Sequence, residues 1–175
     1  HPLLKVTIVP RGKALGAAWY LPQERQITTK EQLLDQMCSV LGGRAAEEIV
    51  FGQISTGAQN DLERATKQAY AMVAIYGMSE KIGMLSYYDS TGQSDYSFTK
   101  PYSEKTAELI DAEVKAMVSA AYERTKQILS EHREQHRQVA ELLIEREVIF
   151  SDDLENILGK RPWKDEEEEI QPQEL

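Results

Sequence analysis

Residues 55–65, S-T-G-A-Q-N-D-L-E-R-A, constrain the fold of this chain more than any other stretch. Small and polar residues, which favour a turn, run directly into the spacing of an amphipathic helix. Asp61 falls in the first turn of that helix, where free N–H groups and the positive end of the helix dipole favour a carboxylate. Asp61 is therefore a candidate for one metal ligand, although helix starts also use aspartate as an ordinary capping residue.

Apolar residues recur at helical spacing through most of the chain, which predicts a mainly α-helical fold. Thr29, with Gln32 three residues later, predicts a capped helix start, and Gly42-Gly43 predicts an interruption of that helix. Each glycine costs about 1 kcal/mol in a helix relative to alanine, so the pair implies a bend or a close approach by another backbone. The further predicted helices cover 60–76, a long stretch from Ser103 to a break near His132, a later stretch around 139–143, and a short one from Ser151 that stops at Gly159.

Two short stretches near the N-terminus predict a small antiparallel β element. Residues 5–10 are β-branched and end at a proline, and residues 15–21 are small and precede a second proline. Because proline confines a strand to the edge of a sheet, we expect this ribbon at an edge. Residues 78–101 have no clear period and predict an irregular segment, with a polar surface loop at 89–95.

Charge and cysteine content exclude several classes of protein. The 175 residues carry a net charge of −9, so we do not expect nucleic-acid binding through a basic surface. Cys38 is the single cysteine and lies in an apolar helical pattern, which indicates a core residue and a reducing compartment. No apolar run reaches the roughly 20 residues of a membrane-spanning helix, so we expect a soluble chain. Residues 164–175 predict an acidic, disordered tail after a domain of residues 1–163.

The two histidines at 132 and 136 form the most obvious alternative metal site. Residues at i and i+4 share one face of a helix, so His132 and His136 can contact one ion. Metallopeptidases carry H-E-x-x-H, however, and here Arg133 replaces the glutamate while Glu134 points to another face. A solvated helix end is the competing interpretation.

Glu47-Glu48 is a pair of carboxylates on a predicted helix. Such a pair is usually solvated surface, but either carboxylate could orient a histidine that binds a metal. The sequence has no G-x-x-x-x-G-K-[ST] loop, so we do not expect this chain to bind ATP by that route.

Four motifs occur together in the order and spacing of a known family. They are L-L-K-V-T-I-V-P-R-G at 3–12, L-G-G-R-A-A-E-E at 41–48, S-T-G-A-Q-N-D-L at 55–62 and G-M-S-E-K-I-G at 77–83. Together they resemble the C-terminal peptidase domain of the FtsH family, which are membrane-anchored, ATP-dependent zinc metalloproteases. The resemblance covers residues 1–163 and implies an FtsH-type peptidase domain, mainly α-helical with a small antiparallel β element near the N-terminus.

The resemblance implies that Asp61 is a zinc ligand. The zinc site of the family uses two histidines of an H-E-x-G-H helix and one aspartate, and the glutamate of that motif activates the zinc-bound water. In the family that helix lies just before the strand that matches 5–10, and no such motif occurs in this sequence. We therefore assign no catalytic residue to this chain and expect it to be inactive unless that helix is supplied. Gly42-Gly43 would then leave space for the same helix.

The resemblance also implies a strand that binds substrate. In the family, the strand matching 15–21 is an edge along which unfolded polypeptide lies. The small side chains of Gly16, Ala17 and Ala18 let another backbone approach, and Trp19 belongs to the same strand. A plain edge strand without a ligand is the competing interpretation.

For the parent protein, the resemblance implies a homo-hexamer at the cytoplasmic face of the bacterial inner membrane. It would degrade unfolded or membrane proteins, bind ATP outside this chain, and reach the membrane through upstream segments. The sequence begins at His1-Pro2 without Met, so we expect a fragment of that parent. The alternative is a non-catalytic helical interaction or assembly module, and a metal site built from His132 and His136 is a third possibility.

Overall fold

The computed structural model describes residues 2–10, 12, 14–21, 27–87 and 101–160. These residues belong to two units, which we call the helical unit, Arg25–Glu131, and the sheet unit, His1–Glu24 with His132–Leu175. The predicted polar loop at 89–95 and the predicted acidic tail at 164–175 lie outside the described residues. No helix in the described ranges combines the length and the apolar character needed to span a membrane.

Three helices form the helical unit. They are α1 (Lys30–Phe51), α2 (Gln59–Ala74), which follows a short 3-10 turn at Thr56–Ala58, and α3 (Glu104–Glu131). Alanines at the contact surfaces of α2 and α3 let the helices approach closely, and longer apolar side chains of α1 and α2 fill the remaining space. The main core cluster contains Met37, Cys38, Leu41, Ala65, Ala69, Met72 and Ala121. Cys38 is therefore the core residue that its apolar pattern predicts.

α1 runs without a break through Gly42-Gly43, so the predicted interruption is wrong. The reason is that α1 is stabilised on both sides of the pair. At its start, Thr29 Oγ1 accepts from Gln32 N–H at 3.3 Å and Gln32 Oε1 accepts from Thr29 N–H at 3.0 Å, as the capping pattern predicts. Leu41 and Ala45, which flank the glycines, are buried in the core. Burial of this face offsets a glycine penalty of about 1 kcal/mol per residue.

Most other helix boundaries match their local sequence patterns. Ser103 Oγ accepts from Thr106 N–H at 3.3 Å at the start of α3. α3 ends at Glu131, and α4 (Arg133–Arg146) begins after His132, where the break was predicted. The last helix, α5, covers Ser151–Leu158 and ends at Gly159. α2 ends earlier than predicted, because Tyr76 is exposed and is followed by Gly77 in a left-handed conformation with φ +64°.

The sheet unit contains one strand more than the predicted ribbon. β1 (Leu3–Thr7) pairs antiparallel with β2 (Ala17–Tyr20) and with β3 (Val148–Phe150), in the order β2-β1-β3. Of the two predicted strands, β1 is therefore central and β2 lies at an edge. β3 lies on the other side of β1. Fully buried Ile149 lies opposite Val6, and Thr7 Oγ1 donates to Glu147 C=O at 2.8 Å. β3 is not predictable from its sequence, because three residues are too short for a recognisable period.

Candidate functional site

Asp61 lies in the first turn of α2, as the sequence predicts. No side chain caps this helix, since Ala58 occupies the capping position and is buried. The Asp61 side chain is 41% exposed, and among the described residues its one ion pair is to Arg64 Nη1 at 4.0 Å. An exposed pair at this distance contributes little free energy. The carboxylate is therefore held near the helix N-terminus and is free to accept a further partner.

The turn before Asp61 is fixed to α1 by two side chains, and we call this arrangement the Ser55 clamp (Arg44, Glu47 and Ser55). Arg44 Nη1 donates to the Ser55 carbonyl at 2.9 Å, and Glu47 Oε2 accepts from the Ser55 N–H at 3.2 Å. The two side chains are also 3.8 Å apart from each other, between Nη1 and Oε2. Both polar groups of the Ser55 peptide backbone are thus satisfied by residues that lie one turn apart on α1.

Glu47 therefore has a partner in this chain. Hydrogen bonding from Ser55, first from its hydroxyl and then from its N–H, lowers the pKa of Glu47, and Arg44 adds to that effect. The interpretation of Glu47 as merely solvated surface is wrong, because its carboxylate holds a backbone group. Its predicted action on a histidine stays a prediction. Arg44 and Ser55 are not among the functional candidates that the sequence predicts. The i, i+3 spacing of Arg44 and Glu47 in the motif does indicate that these two side chains share a helix face.

Glu48 faces α3 instead of the turn. Tyr122 Oη donates to Glu48 Oε2, and Lys126 Nζ lies 3.7 Å from Glu48 Oε1. Burial and the hydrogen bond to Glu48 raise the pKa of Tyr122 to about 12, so its hydroxyl remains a donor at neutral pH. Glu48 thus links α1 to α3 while its side chain stays 41% exposed, and its predicted action on a histidine stays a prediction. A groove of about 480 Å³ lies beside this pair, with Leu41, Ile54 and Val118 among its lining residues.

The histidine pair has polar neighbours, and the described residues bring no further metal ligand to it. His132 precedes α4 and is exposed, and His136 is half-buried on the helix. Glu134 is occupied by Arg137, which donates to its two oxygens at 2.6 Å and 3.1 Å. Within the ranges that the structure describes, no three His, Cys, Asp or Glu side chains are grouped to hold a metal ion. Neither Asp61 nor the histidine pair therefore belongs to a group of three such side chains in the described ranges.

β2 presents an open edge in the sheet unit. All four of its residues are exposed, and in the described part of the chain it pairs with β1 only. Lys5 Nζ lies 4.4 Å from the centre of the Trp19 ring, a cation–π distance that holds this side chain against β1. Ala17 and Ala18 are exposed small residues on the same strand, as predicted for a backbone-binding edge.

Gly16 has a structural reason to be small. A Cβ at this position would lie 2.7 Å from the Thr7 carbonyl oxygen, a distance that real Cβ atoms do not tolerate. The register, in which Thr7 pairs with Ala17, brings Gly16 against β1. The absence of a side chain at Gly16 is therefore required within the sheet, and its predicted role in admitting a substrate backbone stays a prediction.

Comparison with known proteins identifies one family. The family model of peptidase family M41 matches residues 1–157. An ATP-dependent zinc metalloprotease FtsH of Parabacteroides distasonis is 66% identical over 170 residues, which is 97% of this chain and 25% of that protein. The mitochondrial metalloprotease FTSH 10 of Arabidopsis thaliana is 56% identical over 165 residues, 94% of this chain and 20% of that protein.

A mammalian relative has a similar match. The mitochondrial inner membrane m-AAA protease component AFG3L2 of Mus musculus is 52% identical over 162 residues, 93% of this chain and 20% of that protein. The chain thus spans a quarter or less of the length of these relatives.

Proposed function

The chain belongs to peptidase family M41, and we propose that it is the peptidase part of a membrane-anchored, ATP-dependent zinc metalloendopeptidase of the FtsH type. The family assignment and the fold class, mainly α-helical with a small antiparallel sheet, confirm what the four motifs predict. The observation that carries the function is 66% identity to a named zinc metalloprotease over 97% of the chain. The activity itself belongs to the proposal, because only a quarter of that relative is matched.

Asp61 is the residue we propose as a zinc ligand. A carboxylate oxygen is an accepted zinc ligand, and this one is accessible, with a long ion pair to Arg64 as its one ionic contact among the described residues. The other ligands would come from histidines of an H-E-x-G-H helix, a motif that this sequence does not contain. When bound, zinc would supply a water of lowered pKa and polarise the scissile carbonyl.

Besides binding zinc, the residues of this chain would position Asp61 and bind the substrate backbone. The Ser55 clamp would hold the turn that leads to Asp61, and the start of α2 would favour its ionised form. The open edge of β2 would bind unfolded polypeptide through main-chain hydrogen bonds, which read no particular sequence. Exposed Ala17 and Ala18 suit this pairing, with Trp19 beside them. A broad substrate range follows from this mode of binding.

The remaining parts of the proposal concern the parent protein. We infer a homo-hexamer at the cytoplasmic face of the bacterial inner membrane, with ATP bound by a module outside this chain. The chain alone would not cleave peptides, since a zinc protease needs a metal with an open water position and a base beside it. Domain limits of 1–163 and a disordered tail at 164–175 also stay predictions.

The test of this function is the substitution Asp61→Asn in the full-length protein. Zinc content after dialysis and ATP-dependent degradation of an unfolded substrate protein are measured together. We expect zinc affinity to fall more than about 100-fold, beyond the 10–100-fold that outer partners of a ligand contribute. Glu63→Gln is the matched control, because Glu63 is an exposed carboxylate on the same helix paired with Lys67. Retained zinc and activity in Asp61→Asn would show that Asp61 is not a zinc ligand, whereas absence of zinc and of degradation in the unsubstituted full-length protein would support the non-catalytic assembly module.

A further inference from the structure

We propose that Arg44 is a positioning residue for Asp61 and acts through the peptide group of Ser55. This inference rests on the proposed function, because it takes Asp61 to be a zinc ligand. Arg44 itself touches neither the metal nor the substrate in this proposal. Its effect is to fix where the first turn of α2 begins.

The first step is the anchoring of Arg44. Its side chain is only 14% exposed, so it is fixed by its surroundings more than an ordinary surface arginine. The neighbouring Leu41 and Ala45 are buried in the core of the helical unit. α1 therefore offers a rigid base, and the 2.9 Å bond from Arg44 Nη1 fixes the Ser55 carbonyl to it.

The second step leads from Ser55 to Asp61. Ser55 Oγ accepts from Gly57 N–H at 3.2 Å and caps the 3-10 turn Thr56–Ala58. Gln59 N–H donates to the Thr56 carbonyl, so the turn continues directly into α2. α2 has no side-chain cap of its own, and uncapped first turns leave N–H groups without partners. The position of Asp61 thus depends on the turn, and the turn depends on the clamp.

The third step explains why an arginine is needed. The planar guanidinium fixes the directions of its N–H groups, so Nη1 bonds the Ser55 carbonyl while it lies 3.8 Å from Glu47 Oε2. A lysine ammonium is a strongly hydrated point charge and cannot hold both in this geometry. Without the arginine, the carbonyl of Ser55 loses its partner and Glu47 loses its neighbouring positive charge.

The experiment uses the full-length protein with Arg44→Ala and Arg44→Lys. Zinc affinity is measured by competition with a chelator, and the visible absorption of the Co²⁺-substituted protein reports ligand geometry. We expect both variants to bind zinc about 10–100-fold more weakly, with a changed Co²⁺ spectrum. Added guanidinium ion should partly restore affinity and spectrum in Arg44→Ala. Faster hydrogen exchange should be confined to residues 53–61.

Arg124→Ala is the matched control, because Arg124 is an arginine of the same unit that pairs with Asp35 at 2.8 Å and does not belong to the Ser55 clamp. It should leave affinity and spectrum unchanged. Unchanged zinc affinity and Co²⁺ spectrum in both Arg44 variants would overturn the inference, as would an equal effect of Arg124→Ala. The proposed function fails separately if Asp61→Asn keeps its zinc. If Asp61→Asn loses zinc while the Arg44 variants keep it, only the positioning role is wrong.

Discussion

Two carboxylates, Glu47 and Glu113, hold the segments that enter and leave α2. Glu47 accepts from the Ser55 backbone before the helix. Glu113, on α3, accepts from Ser79 Oγ at 2.8 Å and from Lys81 Nζ at 2.6 Å after it. Both segments belong to motifs that resemble those of the FtsH family. In each motif, hydrogen-bond donors fix a connecting segment to a neighbouring helix, which gives the motif a structural role.

The Glu113 network predicts a pH dependence of stability. Hydrogen bonds from Lys81, and then from Ser79, lower the pKa of Glu113 below its ordinary value of 4.5. Because the folded-state pKa is the lower one, its contribution is complete above about pH 4.5 and is lost as pH falls through the folded-state pKa. Glu113→Gln should lower the Tm by about 2–4 °C at pH 7, and this difference should shrink towards pH 3.

The measurement is thermal unfolding of the chain followed by circular dichroism between pH 3 and pH 7. Glu108→Gln is the matched control, because Glu108 is an exposed glutamate on the same helix. A Tm difference that stays constant over this range would contradict the assigned role of the Glu113 charge. So would an equal loss in the control.

At the residue scale, the position of Asp61 in the first turn of α2 could be predicted from the sequence, but the Ser55 clamp could not. A turn motif followed by helical spacing places Asp61 from local sequence alone. The partner of Glu47 could not be predicted, because Ser55 meets it only after the chain leaves α1 and turns back. The close contact of Gly16 with Thr7 could not be predicted for a similar reason, since it depends on the pairing register. Contacts between elements decide both cases.

At the scale of elements, locally capped helices were predicted and non-local pairing was not. Thr29 with Gln32, Ser103 and Gly159 each mark a helix end through bonds within a few residues. β3 is different, because it exists through pairing with β1, from which it is separated by most of the chain. Three residues of suitable composition do not identify a strand unless the partner is known.

The glycine pair of α1 gives a prediction at this scale. No atom in the described ranges, apart from the helix's own nearby backbone, lies within 4 Å of a Cβ built on Gly43. Gly43→Ala should therefore stabilise the chain by about 0.5–1 kcal/mol, which urea unfolding would measure. If the zinc helix of the family packs here, the same substitution should lower zinc binding in the full-length protein.

Unfolding of the chain and zinc binding by the full-length protein together distinguish an unoccupied helix surface at Gly43 from a packing site for the zinc helix. Gly77→Ala is the contrasting variant, because its backbone has φ +64° and a Cβ would lie 3.3 Å from Met84 Cα, so it should destabilise the chain. Gain of stability together with normal zinc binding in Gly43→Ala would show that the pair makes no room for another helix. Loss of stability in the isolated chain would contradict the open space seen here.

At the scale of the whole molecule, the family rests on four separated motifs and on matches along nearly the full chain. Composition and the spacing of apolar residues alone indicate only an acidic, mainly helical protein. The structure adds that Asp61 has no second and third candidate ligand among the described residues. A zinc site of the family type would therefore need ligands beyond those that the described residues bring together, and we expect this chain by itself to bind the metal weakly.

The final prediction is that the isolated chain binds Zn²⁺ weakly and does not cleave an unfolded protein. A single carboxylate offers one of the three protein ligands of a catalytic zinc site, and no H-E-x-x-H base is present in the sequence. Calorimetric titration at neutral pH should give a Kd in the range of about 0.1 mM or weaker, some 5 kcal/mol of binding free energy. His132→Ala should leave this value unchanged. Tight one-to-one binding that disappears in His132→Ala would show instead that the chain binds zinc at His132 and His136. That result would contradict the role assigned to Asp61 as the zinc ligand of this chain.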